Sequence, residues 1–147
     1  MTMTTQNTDT WVTVGITFST FDLLHTGHIA MLKEARDQCD YLIVGLQSDP
    51  TIDRPDTKNK PAQTMFERYL QLKAVRYVDE IIPYQTEQDV VDILTTIKPN
   101  VRIIGQEYKE KSFTGREQCE QLGIDLYFNS RAHRFSTTAL RKNIKDL

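Results

Sequence analysis

The apolar run from Val12 to Phe18 leads without a spacer into Ser19-Thr20-Phe21-Asp22-Leu23-Leu24-His25-Thr26-Gly27-His28, and from His28 onward apolar residues recur at helical spacing. A strand, a tight turn and a helix start therefore follow one another directly. That order narrows the fold more than any other stretch does. A buried strand feeding straight into a helix opens a β–α–β unit, which returns to a parallel neighbour by a right-handed crossover.

The rest of the chain repeats the alternation. Ile29, Leu32, Ala35 and Cys39 share one helical face opposite Lys33, Glu34 and Arg36, and this helix is expected to end near Asp40. Tyr41-Leu42-Ile43-Val44-Gly45-Leu46 is continuously apolar, the pattern of a strand covered on both faces. From Gln47 to Gln63 the chain turns polar and carries Pro50, Pro55 and Pro61, which predicts a long loop of the functional or disordered kind. Thr64 and Glu67 form a capping box for a helix to about Val75, and residues 78–82 read as a short strand. Thr86 with Asp89 starts a helix whose Val90, Ile93, Leu94 and Ile97 make a core stripe, broken at Pro99-Asn100. Val101 to Ile104 is the next strand, ending at Gly105. Thr114-Gly115-Arg116-Glu117 reads as a third capping pattern, Gly123 as that helix's stop, and residues 125–128 as a last strand. Ser136 is expected to cap a final helix that buries Leu140, Ile144 and Leu147. Residues 1–10 are polar and lack apolar periodicity, so they read as a flexible leader before one domain over 11–147 that starts at Trp11.

Strands alternating with helices at this spacing predict an open parallel sheet, and such sheets bind ligands outside the carboxyl ends of their strands. The turn at residues 19–28, the loop at 47–63, the Gly105 loop and the segment from Arg131 to Ser136 all follow strands, so all four can converge there.

The chemistry of the first turn favours an anion. A helix N-terminus presents unpaired N–H groups and the positive end of a dipole, and Gly27 lets backbone come close. His25 and His28 can each donate a ring N–H, or carry charge when protonated, where a polyphosphate would lie. Such a turn can hold charge developing at phosphorus with no nucleophilic side chain. An ionised phosphate acceptor is itself a competent nucleophile, so positioning and charge stabilisation suffice.

The segment Thr20-Phe21-Asp22-Leu23-Leu24-His25-Thr26-Gly27-His28 resembles the HxGH signature of the small cytidylyltransferases, the glycerol-3-phosphate cytidylyltransferases above all, within the nucleotidyltransferase superfamily. Lys58 and Lys60, the stretch from Arg76 to Pro83, and Arg131 followed by Phe135-Ser136-Thr137-Thr138 fit in the same order, so the resemblance spans about residues 11 to 147. It implies an α/β fold, a single-domain Rossmann-like open parallel sheet with helices on both faces. The implied reaction transfers CMP from CTP to a small phosphorylated acceptor, releasing pyrophosphate, in a homodimer; a cytoplasmic location is expected from the lack of a signal peptide or membrane span. In this reading His25, His28, Lys58 and Arg131 are catalytic. Thr20, Phe21, Asp22, Gly27, Lys60, Gly105, Ser136 and Thr137 join Arg131 around the nucleotide. Arg76, Asp79, Tyr108, Lys109, His133 and Arg134 serve the acceptor or an interface, although Arg76 and Asp79 could equally be a plain surface ion pair. Mg²⁺ is expected to arrive on the triphosphate, bound mainly through substrate phosphates, with Asp22 ordering the turn instead of acting as a sole metal ligand.

Departures bear on specificity. Ser19 stands where the family carries a glycine, Ala132, His133 and Arg134 interrupt the last motif, and Glu87 and Val90 lie where the glycerol-phosphate enzymes have a Trp and a Lys. Gly105-Gln106-Glu107-Tyr108-Lys109 instead resembles the sugar-phosphate adenylyltransferase branch. Adenylyl transfer to a sugar phosphate and a non-catalytic nucleotide sensor therefore stand as alternatives.

Composition excludes other classes. With 147 residues, 26% of them charged, and a net charge of -2, there is no basic run for nucleic acid. No apolar stretch is long enough to span a bilayer, and no Lys or Arg precedes Lys33 to mark a signal peptide. Cys39 and Cys119 lack metal-ligand spacing and read as free buried thiols.

Overall fold

The computed structural model describes residues 11–130 together with residues 142, 144 and 145. Strands β1 (Val14–Ser19), β2 (Tyr41–Gln47), β3 (Glu80–Tyr84), β4 (Val101–Gly105) and β5 (Asp125–Asn129) alternate with helices α1 (Thr26–Arg36), α2 (Met65–Lys73), α3 (Glu87–Ile97) and α4 (Arg116–Leu122), with a 3₁₀ turn at Gln106–Tyr108. All strand pairs are parallel, in the order β3-β2-β1-β4-β5. This is a Rossmann-like open sheet whose strand order reverses at β1.

Helices on both faces explain why β2 is apolar throughout. Leu42, Val44 and Leu46 point into a core with Leu32, Ala35 and Leu72, whereas Ile43 joins Val14, Ile16, Val90, Leu94 and Cys119 on the opposite side. The register then positions the site. β1 pairs with β2 along six residues, from Val14↔Tyr41 to Ser19↔Leu46, but with β4 only at Gly15↔Val101 and Ile16↔Arg102. Beyond Ile16 the two strands part, and the gap between their carboxyl halves opens a cleft at the reversal point.

The capping boxes Thr64/Glu67 and Thr86/Asp89 form as read. Three boundaries differ. α1 ends at Arg36 instead of near Asp40, whose carboxylate instead accepts the Thr13 N–H. β3 begins two residues late because Asp79 is engaged just ahead of it, its carboxylate accepting both the Leu42 N–H and the Arg36 Nε–H at 2.8 Å. α4 has Gly115, at φ 85°, as its N-cap with no side-chain cap bond; Thr114 turns its hydroxyl to Glu87 at 2.9 Å instead. A Cβ at Gly115 would stand 2.7 Å from Leu94 and 2.9 Å from Arg102, so a close approach as well as the left-handed backbone calls for glycine there. Gly123 stops α4 in the left-handed region as expected. The leader and the Ser136 cap lie outside the described residues. Ile144, expected to be buried, is 61% exposed, so it does not pack as a core stripe residue. Cys39 and Cys119 are free thiols, the first half-buried and the second buried.

Candidate active site

The end of β1 delivers the chain into α1 through a turn held in an unusual backbone state. Phe21 and Leu23 have φ of 48° and 52°, the left-handed region that costs an L residue about 1–2 kcal/mol. The long loop before α2 holds them there. Asp22 accepts N–H groups of Ala62 and Gln63 at 2.8 and 2.9 Å, and the Gln63 side chain accepts the Leu23 N–H at 2.8 Å.

α1 lacks a Ser, Thr, Asp or Asn cap, and imidazoles take that place. His25 is the N-cap, and its Nδ1 accepts the Gly27 N–H at 3.0 Å; His28 Nδ1 reaches back to accept the His25 N–H at 3.1 Å. Each Nδ1 is thereby committed as an acceptor, so a neutral ring carries its proton on Nε2. The rings stand 4.0 Å apart at 40°, and Phe21 lies 5.6 Å from His28. Burial first, then the neighbouring His25, pushes the His28 pKa down to about 4, against a smaller opposing pull from Asp22. Of the two expected states, the lowered pKa favours His28 as a neutral N–H donor at pH 7 over the charged ring.

These groups line a cleft of about 940 Å³ along the carboxyl edge of the sheet. Of the expected site residues, Thr20, His25, Gly27 and His28 line it at β1 and α1. Lys58 reaches it from the loop, and Gly105 and Tyr108 from β4 and the turn beyond. Others do not. Phe21 is buried at 1% exposure and backs His28. Lys60 faces a smaller hollow beside the loop, 3.9 Å from Asp49. Lys109 is exposed outside the cleft. Asp79 precedes β3 at the opposite, amino edge and pairs with Arg36, not with Arg76, which is exposed; neither lines the cleft. Arg131, His133, Arg134, Ser136 and Thr137 lie outside the described residues.

Three functional side chains escape sequence reasoning. Arg68, at 2% exposure, donates to the carbonyls of Thr20, Gln47, Ser48 and Gln63, which ties the ends of β1 and β2 to the loop. Arg54 and Arg102 line the cleft. The one available signal for Arg102 is a cation inside the apolar run Val101-Arg102-Ile103-Ile104, where a doubly covered strand has no ordinary use for it.

A parallel sheet reversing at β1, with paired imidazoles capping the helix behind it, defines a nucleotidyltransferase of the HxGH type. The chain belongs to the cytidylyltransferase-like family, whose sequence model matches residues 16–143. The bifunctional protein HldE of Bradyrhizobium diazoefficiens is 36% identical over 127 residues, which make up 86% of this chain and 26% of that protein. The bifunctional protein HldE of Campylobacter concisus is 32% identical over 126 residues, again 86% of this chain and 26% of the relative. The chain thus spans about a quarter of the length of these relatives. Among solved structures, the lipopolysaccharide core biosynthesis protein from Thermoplasma volcanium superposes with a TM-score of 0.64 at 25% identity, covering 80% of this chain and 93% of that one. The pantoate-beta-alanine ligase of Francisella tularensis shares the fold at a TM-score of 0.57 and 18% identity, over 91% of this chain and 69% of that one.

Proposed function

We propose that this chain transfers a nucleotidyl group from a nucleoside triphosphate to a sugar phosphate or a similar small phosphorylated acceptor. An acceptor phosphate oxygen attacks the α-phosphorus, the bond from that phosphorus to the bridging oxygen of the β-phosphate breaks, and pyrophosphate leaves. The observation that carries this reading is the imidazole cap: Nδ1 of His25 and of His28 each accept a backbone N–H at the N-terminus of α1, and both rings line the cleft. His25 and His28 bind the polyphosphate and stabilise the transition state, and Lys58 adds a cation from the loop. Arg131, Ser136 and Thr137 are assigned to the phosphates by resemblance alone.

For the donor base, we take ATP. Support comes from Gly105 to Lys109, which resemble the sugar-phosphate adenylyltransferase branch; the lipopolysaccharide core biosynthesis protein of Thermoplasma volcanium supports a sugar as the acceptor. CTP is the second reading, supported by the family's description as cytidylyltransferase-like.

Among the described residues no cluster of three His, Cys, Asp or Glu stands ready for a metal ion, and both Asp22 oxygens are taken by Ala62 and Gln63. Magnesium is assigned to the substrate phosphates by resemblance, since it commonly binds through phosphates with few protein ligands. Homodimer formation is part of the reading; Phe66 and Leu70, one turn apart on α2 and 68% and 51% exposed, support a self-associating face. Equilibrium sedimentation showing only monomer would reject that part.

The deciding experiment measures pyrophosphate release with ATP, CTP, GTP and UTP against a panel of sugar phosphates, glycerol 3-phosphate and other phosphorylated alcohols. ATP-dependent release with a sugar phosphate is the expected result. CTP-only turnover would reject the base assignment, and no turnover with any pair would favour a nucleotide sensor.

A further inference from the structure

On the α3 and α4 side of the sheet, away from the imidazoles, β4 places Arg102 in the cleft wall at 6% exposure. Its guanidinium carbon lies 5.1 Å from the ring centroids of both Phe18 and Phe113, and Nη1 donates to the Thr114 carbonyl. Nε is buried and donates to nothing, and no carboxylate of a described residue pairs with the group. The Cys119 thiol and Glu87 both act on that charge, but Glu87 is shared with Arg54. The Glu87 Oε1 sits 3.4 Å from Arg54 Nη1 and accepts the Thr114 hydroxyl at 2.9 Å. Arg54, on the same cleft wall, also has a buried Nε without a partner.

Two guanidinium groups, Arg102 buried and Arg54 part-exposed, thus share the single nearby carboxylate of Glu87 in this wall. Desolvating a cation that no carboxylate bonds directly is costly, and two ring contacts return only part of that cost. Buried donors left unsatisfied beside a cleft are explained by a ligand that completes them. In-line displacement at phosphorus requires the attacking and leaving oxygens on opposite sides of the α-phosphorus. If pyrophosphate leaves toward the α1 N-terminus, the acceptor enters from the other side of β1, where Arg102 and Arg54 stand.

We infer that Arg102 and Arg54 form a phosphate subsite for the acceptor, separate from the imidazole cap that receives the triphosphate. The presence of an anion site follows from the side chains alone; its assignment to the acceptor rests on the proposed nucleotidyl transfer.

The probe is inorganic phosphate, titrated into full-length protein saturated with a non-hydrolysable ATP analogue, with the arginine Nε–Hε signals followed by nuclear magnetic resonance. The Arg102 signal, identified by its loss in Arg102→Lys, should shift on titration. Arg102→Lys and Arg54→Gln should each weaken phosphate binding at least about tenfold, as expected for losing a hydrogen bond to a charged group, while affinity for the ATP analogue stays within about threefold. A stationary Arg102 signal while phosphate binds, no phosphate binding, or unchanged affinity in Arg54→Gln overturns the subsite. Should Arg102→Lys fail to fold, the wild-type signals and Arg54→Gln still decide. Absence of turnover with every donor alongside a responsive Arg102 would sink the transferase reading and keep the anion site; turnover with a silent Arg102 would do the reverse.

Discussion

His28 caps the helix that His25 begins: its Nδ1 accepts the His25 amide N–H at 3.1 Å while the two rings lie 4.0 Å apart. One ring atom thus serves stability and the other is left for chemistry. Protonating the ring would bury a charge and set it beside a second imidazole, in that order of cost, which is why the folded protein resists it.

A pH dependence of stability follows. The His28 pKa is lowered from 6.5 to about 4 by folding, so the unfolded chain takes up a proton first as pH falls. The contribution is present in full above pH 6.5 and is lost as pH falls from there through about 4. Its size is at most on the order of 3 kcal/mol. Urea unfolding of wild type and His28→Gln across this window should show the wild type losing stability more steeply. Parallel curves would mean that His28 is not held neutral by the fold.

Cap and catalysis can be separated at the same position. Gln at the third helical residue can close a capping box, so His28→Gln should keep its melting temperature within a few degrees. It lacks an imidazole Nε2–H in the cleft, so turnover should fall at least about 100-fold, the scale of losing one transition-state donor. His28→Ala should lose turnover by a similar factor and stability as well. Near-normal turnover in either variant removes His28 from the mechanism.

Lys58 and Lys60 should behave differently despite lying two residues apart. Lys58 lines the cleft, whereas Lys60 is mostly in solvent, 3.9 Å from Asp49 across the smaller hollow. Lys58→Ala is therefore expected to reduce kcat/KM at least about tenfold more than Lys60→Ala does. Equal losses would show that the loop closes over substrate and brings Lys60 with it.

What the sequence reveals here depends on how far apart the interacting residues are. The apolar run of β2, the Thr64/Glu67 and Thr86/Asp89 boxes and the HxGH turn are local patterns, and they announce the parallel sheet and one wall of the cleft. Asp79 suggests a pair with nearby Arg76 but finds Arg36, because the start of β3 is set by tertiary bonds to Leu42 and α1. Arg102 reads only as an oddity in a strand until α4 brings Thr114 and Phe113 against it. The neutral state of His28 is equally hidden, since its first cause is burial, which only the folded chain supplies.

Arg68 is the longest-range case and yields the last prediction. Carbonyls at the carboxyl ends of parallel strands project toward the ligand cleft, where bare oxygens would be unsatisfied and would repel phosphate. Arg68 covers those of Thr20 and Gln47, at 3.0 and 2.6 Å, and adds Ser48 and Gln63 from the loop. Removing the fork orphans four acceptors at about 1 kcal/mol each, so Arg68→Met should lose on the order of 3–4 kcal/mol. Arg68→Lys should recover little of this, because a compact ammonium cannot span the set that the planar guanidinium does. Urea unfolding measures the loss, and limited proteolysis should show earlier cutting between residues 48 and 63 in both variants. If Arg68→Lys matched wild type in both assays, the fork geometry would not be what fastens the loop to the sheet.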